Sequence, residues 1–348
     1  SAALAQEYDA QQAKSWMEQF AQALSQLAPV NDPAQTLDPA RPGEYLQEYE
    51  FGTVQDATSG KPTAAQIESA AAGALDKLYG AADLVPQPVH VDGEVSVHFI
   101  DVGQADCELI QTPESTVLID AGDIGGGDAV VAYLKAQGVN RIDLLIASHP
   151  HADHIGGMKE VVETFDIGKI IFSDVPDELI PTSKTYEGLI DTIAARGYKI
   201  TKAKPRAVYD LGGGASLTIL GPVAQYDDLN ETSVACRFDF GKTSFLFTGD
   251  AEKENENDLV AAYGSALKAD VFKLGHHGSS TSNQQKLLNA VDPDIAVCEV
   301  GYDNSYGHPH AETLERLLKM GVTLYRTDRD GTVVIGSDGE TLSVATEK

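Results

Sequence analysis

Four side chains able to bind metal stand within six positions: His149, His151, Asp153 and His154, in SHPHADHIGG (148–157). Imidazole and carboxylate are the usual inner ligands of zinc and similar ions. The i, i+2 pair His149 and His151 can face one way from an extended loop, and Asp153 and His154 can then turn toward a second ion. The apolar run LLIA precedes the cluster and the helical run GGMKEVVETF follows it. The cluster therefore sits where a buried strand opens into a loop, the place where α/β folds set ligand sites. Two distant segments end in the same way. FLFTGD (245–250) delivers Asp250 after an apolar strand, and KLGHHGS (273–279) delivers His276 and His277 after DVFKL. Alone, Asp250 reads as a turn residue and the histidine pair as a polar loop. Together with the first cluster they suit two divalent ions about 3.5–4 Å apart, which need a bridging carboxylate; Asp250 is the candidate.

Two bound ions lower the pKa of a shared water and yield hydroxide near neutral pH. Asp153 is expected to orient that nucleophile besides binding metal. A leaving alkoxide needs a proton or a positive partner. His308, in NSYGHPH (304–310), is the candidate as phosphate contact or general acid, while His310 opens the helical run AETLERLLKMG and reads as its cap. Ser279 and Ser280, with Thr281 and Ser282 behind them, are candidate phosphate contacts ahead of a helix N-terminus. Tyr306 is placed in the pocket wall. The GGG at 125–127 lacks the Lys and Ser/Thr that follow in a phosphate-binding P-loop and reads as a turn.

The elements that must position these groups begin near residue 94. VSVHFIDV, ADCELIQT and STVLIDAG are strand-like, DAVVAYLKAQG is a helix ending at Gly138, and LLIASH is a buried strand. Helical and strand-like runs alternate onward to a second strand-rich group at 215–248 (ASLTILGP, SVACRFDFG, TSFLFTGD). RTDRDGTVVIGSDGETLSVAT reads as strands linked by DG turns. The order predicts two sheets with helices on their outer faces, a layered α/β arrangement. The first ninety or so residues differ. Residues 1–28 carry Trp16, Phe20, Leu24 and Leu27 at helical spacing, 29–62 are rich in Pro, Asp and Gly, 63–80 are again helical between Thr63 and Gly80, and 84–93 read as a linker. The expected division is a helical N-terminal extension and linker over 1–92 and a hydrolase-like domain over 93–348.

Composition narrows the function. The 348 residues carry 53 Asp and Glu against 25 Lys and Arg, a net charge of −28. Such a surface argues against a general nucleic-acid binder, although bound ions can make a pocket locally positive. Lys273, Lys286, Arg326 and Arg329 are candidates to flank the cleft. Cys107, Cys236 and Cys298 lie in apolar runs without CxxC partners and read as buried core residues. No stretch approaches the roughly 18–20 apolar residues of a membrane span. The sparse cysteines and low Lys/Arg content suit an exported protein and equally an acidic cytosolic one; an extracellular or cell-surface location is the expectation.

SHPHADHIGG, FLFTGD and GHHGS resemble the signature motifs of the metallo-β-lactamase superfamily, over about residues 94–348. IDVGQADCELI, LIDAG and NSYGHPH are similar to one branch, the hydrolase domain of ComEC-type competence proteins and its free-standing relatives; phosphorylcholine esterases are a related alternative. The resemblance implies a four-layer αβ/βα sandwich holding two divalent ions, Zn or Mn. His149 and His151 would bind the first ion, Asp153, His154 and His276 the second, with Asp250 bridging. His276 is preferred to His277, which would stand behind it, and Gln104 and Asp106 of DVGQAD would sit at the site edge. One departure matters: no histidine occurs between His154 and His276, where the fuller first site of the family takes a third. The corresponding region reads DDLNETSV, so Asn230, Glu231 or a water fills the position, and the first site is expected to be weaker or to favour manganese. The implied function is a phosphodiesterase or nuclease-like hydrolase acting on a phosphoester, with DNA disfavoured by the acidity. Phosphorylcholine-type esters, β-lactams or lactones, and a non-catalytic metal-binding relative are the alternatives. Nothing in the motifs bears on oligomeric state.

Overall fold

The computed structural model describes residue 89 and residues 91–348. The helical runs expected over 1–28 and 63–80, and with them nearly all of the expected 1–92 extension, lie outside the described residues. The elements follow in chain order as β1 (Val95–Phe99), β2 (Glu108–Gln111), β3 (Thr116–Ile119), α1 (Gly127–Ala136), β4 (Arg141–Ala147), α2 (Ala152–Ile155), α3 (Met158–Thr164), β5 (Asp166–Phe172), α4 (Lys184–Ala195), β6 (Ile200–Lys202), β7 (Val208–Asp210) and β8 (Ala215–Ile219). The second half adds β9 (Cys236–Phe240), β10 (Thr243–Phe247), α5 (Lys253–Tyr263), β11 (Val271–Lys273), α6 (Gln285–Val291), β12 (Ile295–Cys298), α7 (Ala311–Met320), β13 (Thr323–Arg326), α8 (Thr327–Asp330), β14 (Val333–Ser337) and β15 (Leu342–Thr346).

The strands form an eight-stranded sheet, β15-β14-β1-β2-β3-β4-β5-β6, and a seven-stranded sheet, β13-β12-β11-β10-β9-β8-β7. Both are mixed. Pairing is parallel from β3 to β6 and from β10 to β13, and antiparallel elsewhere.

Side-chain alternation along the strands sets the layering, because successive residues of a strand face opposite sides of its sheet. In β10, Phe245 and Phe247 face the core between the sheets, together with Phe238 and the opposing Phe99. Leu246, between them, faces a second core with Leu259 of α5, Leu287 and Leu288 of α6 and Leu317 of α7. In β3, Val117 and Ile119 join the central core while Leu118 faces Val130 and Leu134 of α1 and Met158 and Val161 of α3. Three cores therefore separate four layers, α/β/β/α, which is the sandwich expected from the motifs. Each fully buried Phe or Leu contributes on the order of 1.5–3 kcal/mol.

The C-terminal strands depart from expectation. β13 pairs with β12 in the seven-stranded sheet, whereas β14 pairs with β1 in the other, so the first DG marks a crossover and not a hairpin. Asp330 accepts the backbone N–H of Arg326, and the Arg326 guanidinium is held by Asp328. These local bonds wind TDRD into the single turn α8. The second DG, Asp338–Gly339, does close the β14–β15 hairpin, with Gly339 at φ 84°.

Gly157 seats the helix that carries part of the candidate site. A Cβ on Gly157, just past α2, would run into the carbonyl oxygen of Ala121 and stand 2.8 Å from Cα of Gly127. Gly157→Ala should therefore destabilise the fold by about 1–3 kcal/mol, the usual range for overpacking, read as a lower urea midpoint at unchanged m-value.

Candidate metal centre

Four strand ends converge. β4 runs out at Ala147 into Ser148 and His149; His151 stands extended ahead of α2, whose single turn carries Asp153 and His154. In the other sheet β10, β11 and β12 are parallel neighbours, so their carboxyl ends share one edge. β10 leads through Gly249, at φ 52°, to Asp250, and a Cβ there would lie 2.9 Å from that of Ser148. β11 leads to His276 and His277, both left-handed at φ 49° and φ 52°. A left-handed conformation costs a non-glycine residue roughly 1–2 kcal/mol, and such strain persists where surrounding structure over-determines it, commonly at functional sites.

One oxygen is the hub. Asp250 Oδ2 lies 3.3 Å from His154 Nε2, 3.6 Å from His276 Nε2, 3.9 Å from His149 Nε2 and 4.0 Å from His277 Nε2. Asp153 Oδ2 stands 3.3 Å from His277 Nε2 and 4.0 Å from His154 Nε2, and His149 Nε2 is 2.9 Å from His151 Nδ1. Ligand bonds of about 2.0–2.2 Å place neighbouring tetrahedral donors about 3.4 Å apart, so the spacing suits shared cations.

The other ring nitrogen of three of these imidazoles is tied to an acceptor. His154 Nδ1 donates to Asp120 at 2.7 Å, and Asp120 also accepts the Ser148 backbone N–H at 2.8 Å. His276 Nδ1 donates to Glu252 at 3.1 Å, and His277 Nδ1 donates to the Glu299 carbonyl at 3.0 Å with Asp106 Oδ1 at 3.1 Å. Because the acceptors cannot donate, each Nδ1 carries a proton and each Nε2 is the ring atom turned inward, the arrangement metal-bound histidines require.

The field is built for cations. Burial opposes charge on Asp250, yet the surrounding imidazoles, His154 foremost, hold its carboxyl well below the usual range. Burial likewise opposes charge on His154, but Asp250 and Asp120 raise its pKa well above the ordinary value. His149 is pushed down, by burial first and by His154 second. Asp250 Oδ1 and His154 Nε2 are buried without a hydrogen-bond partner. An unpaired buried polar atom costs on the order of 1–3 kcal/mol, and a coordinated cation would satisfy both. Asp153, His154, Asp250 and His277 offer ligand atoms all within 4.8 Å of one another. The donor set therefore fits a divalent ion among those four, with His149, His151 and Asp250 facing a neighbouring position.

A cavity of about 320 Å³ opens onto this cluster, lined among others by Gln104, His151, Asp153, Asn230, Asp250, His276, His277, Tyr306 and His308. His149 and His154 lie fully buried beneath it. Several expected contributors stand elsewhere. Ser279 is buried with its hydroxyl paired to Thr281, and Ser280 gives its N–H to His310 Nδ1; neither lines the cavity, because the loop after His277 turns back into the protein. Lys273 does not flank the cleft: it is fully buried against Asp106. Lys286 bonds Asn257 and Arg326 pairs with Asp328, so these cations are also spent away from the cavity. Glu231 accepts the N–H groups of Glu252, Glu254 and Asn255 at the start of α5, while Asn230 lines the cavity. His276 and His277 both reach the cavity, and it is His277 that completes the tight four-residue group. Asp120, Glu252 and Glu299 had not been singled out. Asp120 at least carried a signal, since it ends an apolar strand in LIDAG as Asp250 does in FLFTGD.

The fold and this cluster define a metal-binding site of the α/β/β/α hydrolase type. The chain belongs to the metallo-beta-lactamase superfamily, whose sequence model matches residues 100–301, more than half of its length. It is similar to competence protein ComA of Neisseria gonorrhoeae, 33% identical over 247 residues that cover 70% of this chain and 33% of that one. It is also similar to ComE operon protein 3 of Bacillus subtilis, 28% identical over 262 residues covering 70% and 33%. Recombination protein 2 of Haemophilus influenzae is 32% identical over 248 residues covering 69% and 28%. The chain thus spans about a third or less of the length of these relatives. No helix among its described residues is long and apolar enough to cross a membrane.

Asp120→Asn removes the charged acceptor behind His154. It should lower metal affinity about 10–100-fold, measured by equilibrium dialysis of Mn²⁺ or Zn²⁺, with an unchanged circular dichroism spectrum.

Proposed function

We propose that the chain is a metal-dependent phosphodiesterase, and that its substrate is a short, unpaired stretch of nucleic acid or a nucleotide diester. The observation that supports this most is the pairing of a dense imidazole–carboxylate hub with a cavity whose described lining contains no Lys or Arg. A phosphate drawn into that cavity has only bound cations to neutralise it. The names of the relatives, a competence protein and a recombination protein, favour a nucleic-acid diester over other esters.

Divalent ions bound at the hub supply a Lewis acid and a water of lowered pKa. Asp250 lies between the two donor groups and can serve both. Asp153 borders the cavity and, although burial opposes its charge, the neighbouring His277 and His154 keep it ionised. It can therefore accept a hydrogen bond from the attacking water and orient it. His308 is pushed down to about 4, by burial first and by His276 and His277 next. At neutral pH it is uncharged, which suits a hydrogen bond to a phosphate oxygen better than service as the proton source. Gln104 Nε2 lies 3.5 Å from His308 Nδ1 and holds that ring at the cavity wall. Tyr306 is 67% exposed, and its ring stacks on His308 at 5.6 Å and 23°. Its free face offers a platform for a base next to the scissile phosphate. With no basic lining, stacking has to carry much of the recognition.

The test begins with elemental analysis of the purified chain, followed by assays of bis-p-nitrophenyl phosphate, single-stranded DNA and nitrocefin with Mn²⁺ and with Zn²⁺. Phosphodiester turnover without nitrocefin turnover is expected, and nitrocefin turnover alone overturns the proposal. His154→Ala and Asp250→Ala should reduce turnover to background with the fold retained. Tyr306→Ala should raise KM for single-stranded DNA about 5–100-fold, the equivalent of roughly 1–3 kcal/mol per stacked base, and leave kcat near wild type.

A further inference from the structure

Beneath the cavity floor lies a second charged group that the proposed reaction does not use. Lys273, the last residue of β11, is fully buried. Its ammonium donates to Asp106 Oδ2 and, at 3.1 Å, to the carbonyl of Leu274; Glu299 Oε2 is 3.9 Å away and Glu108 Oε1 is 4.0 Å away. All three carboxylates are at most 2% exposed. A lone buried ammonium would be prohibitive, and three buried carboxylates around one cation more so, unless the group is neutralised and bonded. Burial pushes Glu299 up to about 8, and raises Glu108 well above the usual carboxylate range. Asp106 remains as the charged partner of Lys273.

The cluster joins both sheets. Asp106 precedes β2 and Glu108 belongs to it, in the eight-stranded sheet; Lys273 and Glu299 end β11 and follow β12 in the other. It also touches the candidate metal centre: Asp106 Oδ2 lies 3.8 Å from His154 Nδ1, and the Asp106 N–H donates to the Asp153 carbonyl at 3.1 Å. His277 Nδ1 donates to the main-chain oxygen of Glu299 at 3.0 Å and lies 3.1 Å from Asp106 Oδ1, a close ionic contact beside that hydrogen bond. Glu299 is tied down in turn, its Oε1 accepting the Cys107 N–H at 3.2 Å. The neighbouring His276 is anchored otherwise, by a Glu252 that is 26% exposed.

We propose that Asp106 and Lys273 are a positioning pair: the ammonium locks the Asp106 carboxylate, which with the Glu299 carbonyl fixes the ring and tautomer of His277 so that its Nε2 faces Asp153 and Asp250. This inference rests on reading the site as a metal centre, and it makes the second histidine of the pair the rigid ligand and the first the adjustable one. A purely structural staple between the sheets would be needed for folding and nothing else; a positioning pair governs ion affinity as well.

Two variants of the full chain separate these roles. Asp106→Asn leaves Lys273 unpaired, while Asp106→Asn/Lys273→Met removes both charges together. Mn²⁺ and Zn²⁺ are titrated into metal-free protein, and thermal midpoints are taken without metal. The double variant is expected to melt near wild type yet to bind one ion about 10–100-fold more weakly, the range for loss of a ligand's supporting carboxylate. Wild-type affinity for both ions in a folded double variant overturns the inference while leaving the metal-centre reading intact. A wild type that binds no ion sinks both. Should the variants fail to fold, ¹⁵N NMR of the metal-free wild type still decides: the His277 ring is expected protonated at Nδ1, and a proton on Nε2 alone overturns the proposal.

Discussion

A single carboxylate oxygen, Asp250 Oδ2, faces four imidazole nitrogens at 3.3–4.0 Å from inside the protein. A divalent cation bound among them would satisfy both partners. The carboxylate is buried with its other oxygen unbonded, and the imidazoles crowd one another's lone pairs. The surrounding architecture follows from holding this hub. Four strands that belong to two different sheets must end at one place, which a sandwich of two part-parallel sheets allows and a single sheet does not. The central core of Phe99, Phe238, Phe245 and Phe247 fixes the distance between the sheets, and hence the distance between the Ser148–His154 loop and Asp250.

The second layer of contacts divides the ligands by rigidity. His154 is backed by Asp120, and His277 by Asp106 and Glu299, all fully buried. His276 is backed by Glu252, which is partly exposed and also bonds Thr281 and Asn230. The buried anchors fix geometry, while the partly exposed one sits beside Asn230. A site rigid on one flank and adjustable on the other can hold one ion firmly and admit changes of coordination at its neighbour. The left-handed backbone at His276 and His277 belongs to the same economy of space, since it aims two consecutive side chains into one cavity where an ordinary turn would send them apart.

The candidate ligands were legible in sequence because they cluster in short motifs at strand ends, where residue type and local pattern suffice. The layering was legible for the same reason: the alternation of Phe245, Leu246 and Phe247 states which face each residue takes. What the sequence could not show were relations between distant segments. Lys273 looks like an ordinary cation after a strand, and only the approach of Asp106, Glu108 and Glu299 from other strands reveals why it is buried. Ser279 and Ser280 looked like phosphate contacts because they follow the histidine pair, yet the turn after Gly278 carries them away from the cavity. The TDRD segment looked like a turn between paired strands. Its side chains bond their own backbone instead, and the chain changes sheets there.

The net charge of −28 now has a more specific meaning than general repulsion of polyanions. Lys273 is buried against Asp106 and no Lys or Arg lines the cavity, so its described lining offers an incoming phosphate no cation of its own. Long-range repulsion falls off within about 8–10 Å at physiological ionic strength, whereas a bound divalent ion acts at contact distance inside the pocket. A substrate with many phosphates gains little along its length and loses much. One that presents a single diester with a flat base beside it meets the ions and the face of Tyr306 without crossing the rest of the acidic surface. For the phosphodiesterase proposed above, acidity would work as a filter on length and form of substrate, not as an argument against phosphodiester chemistry.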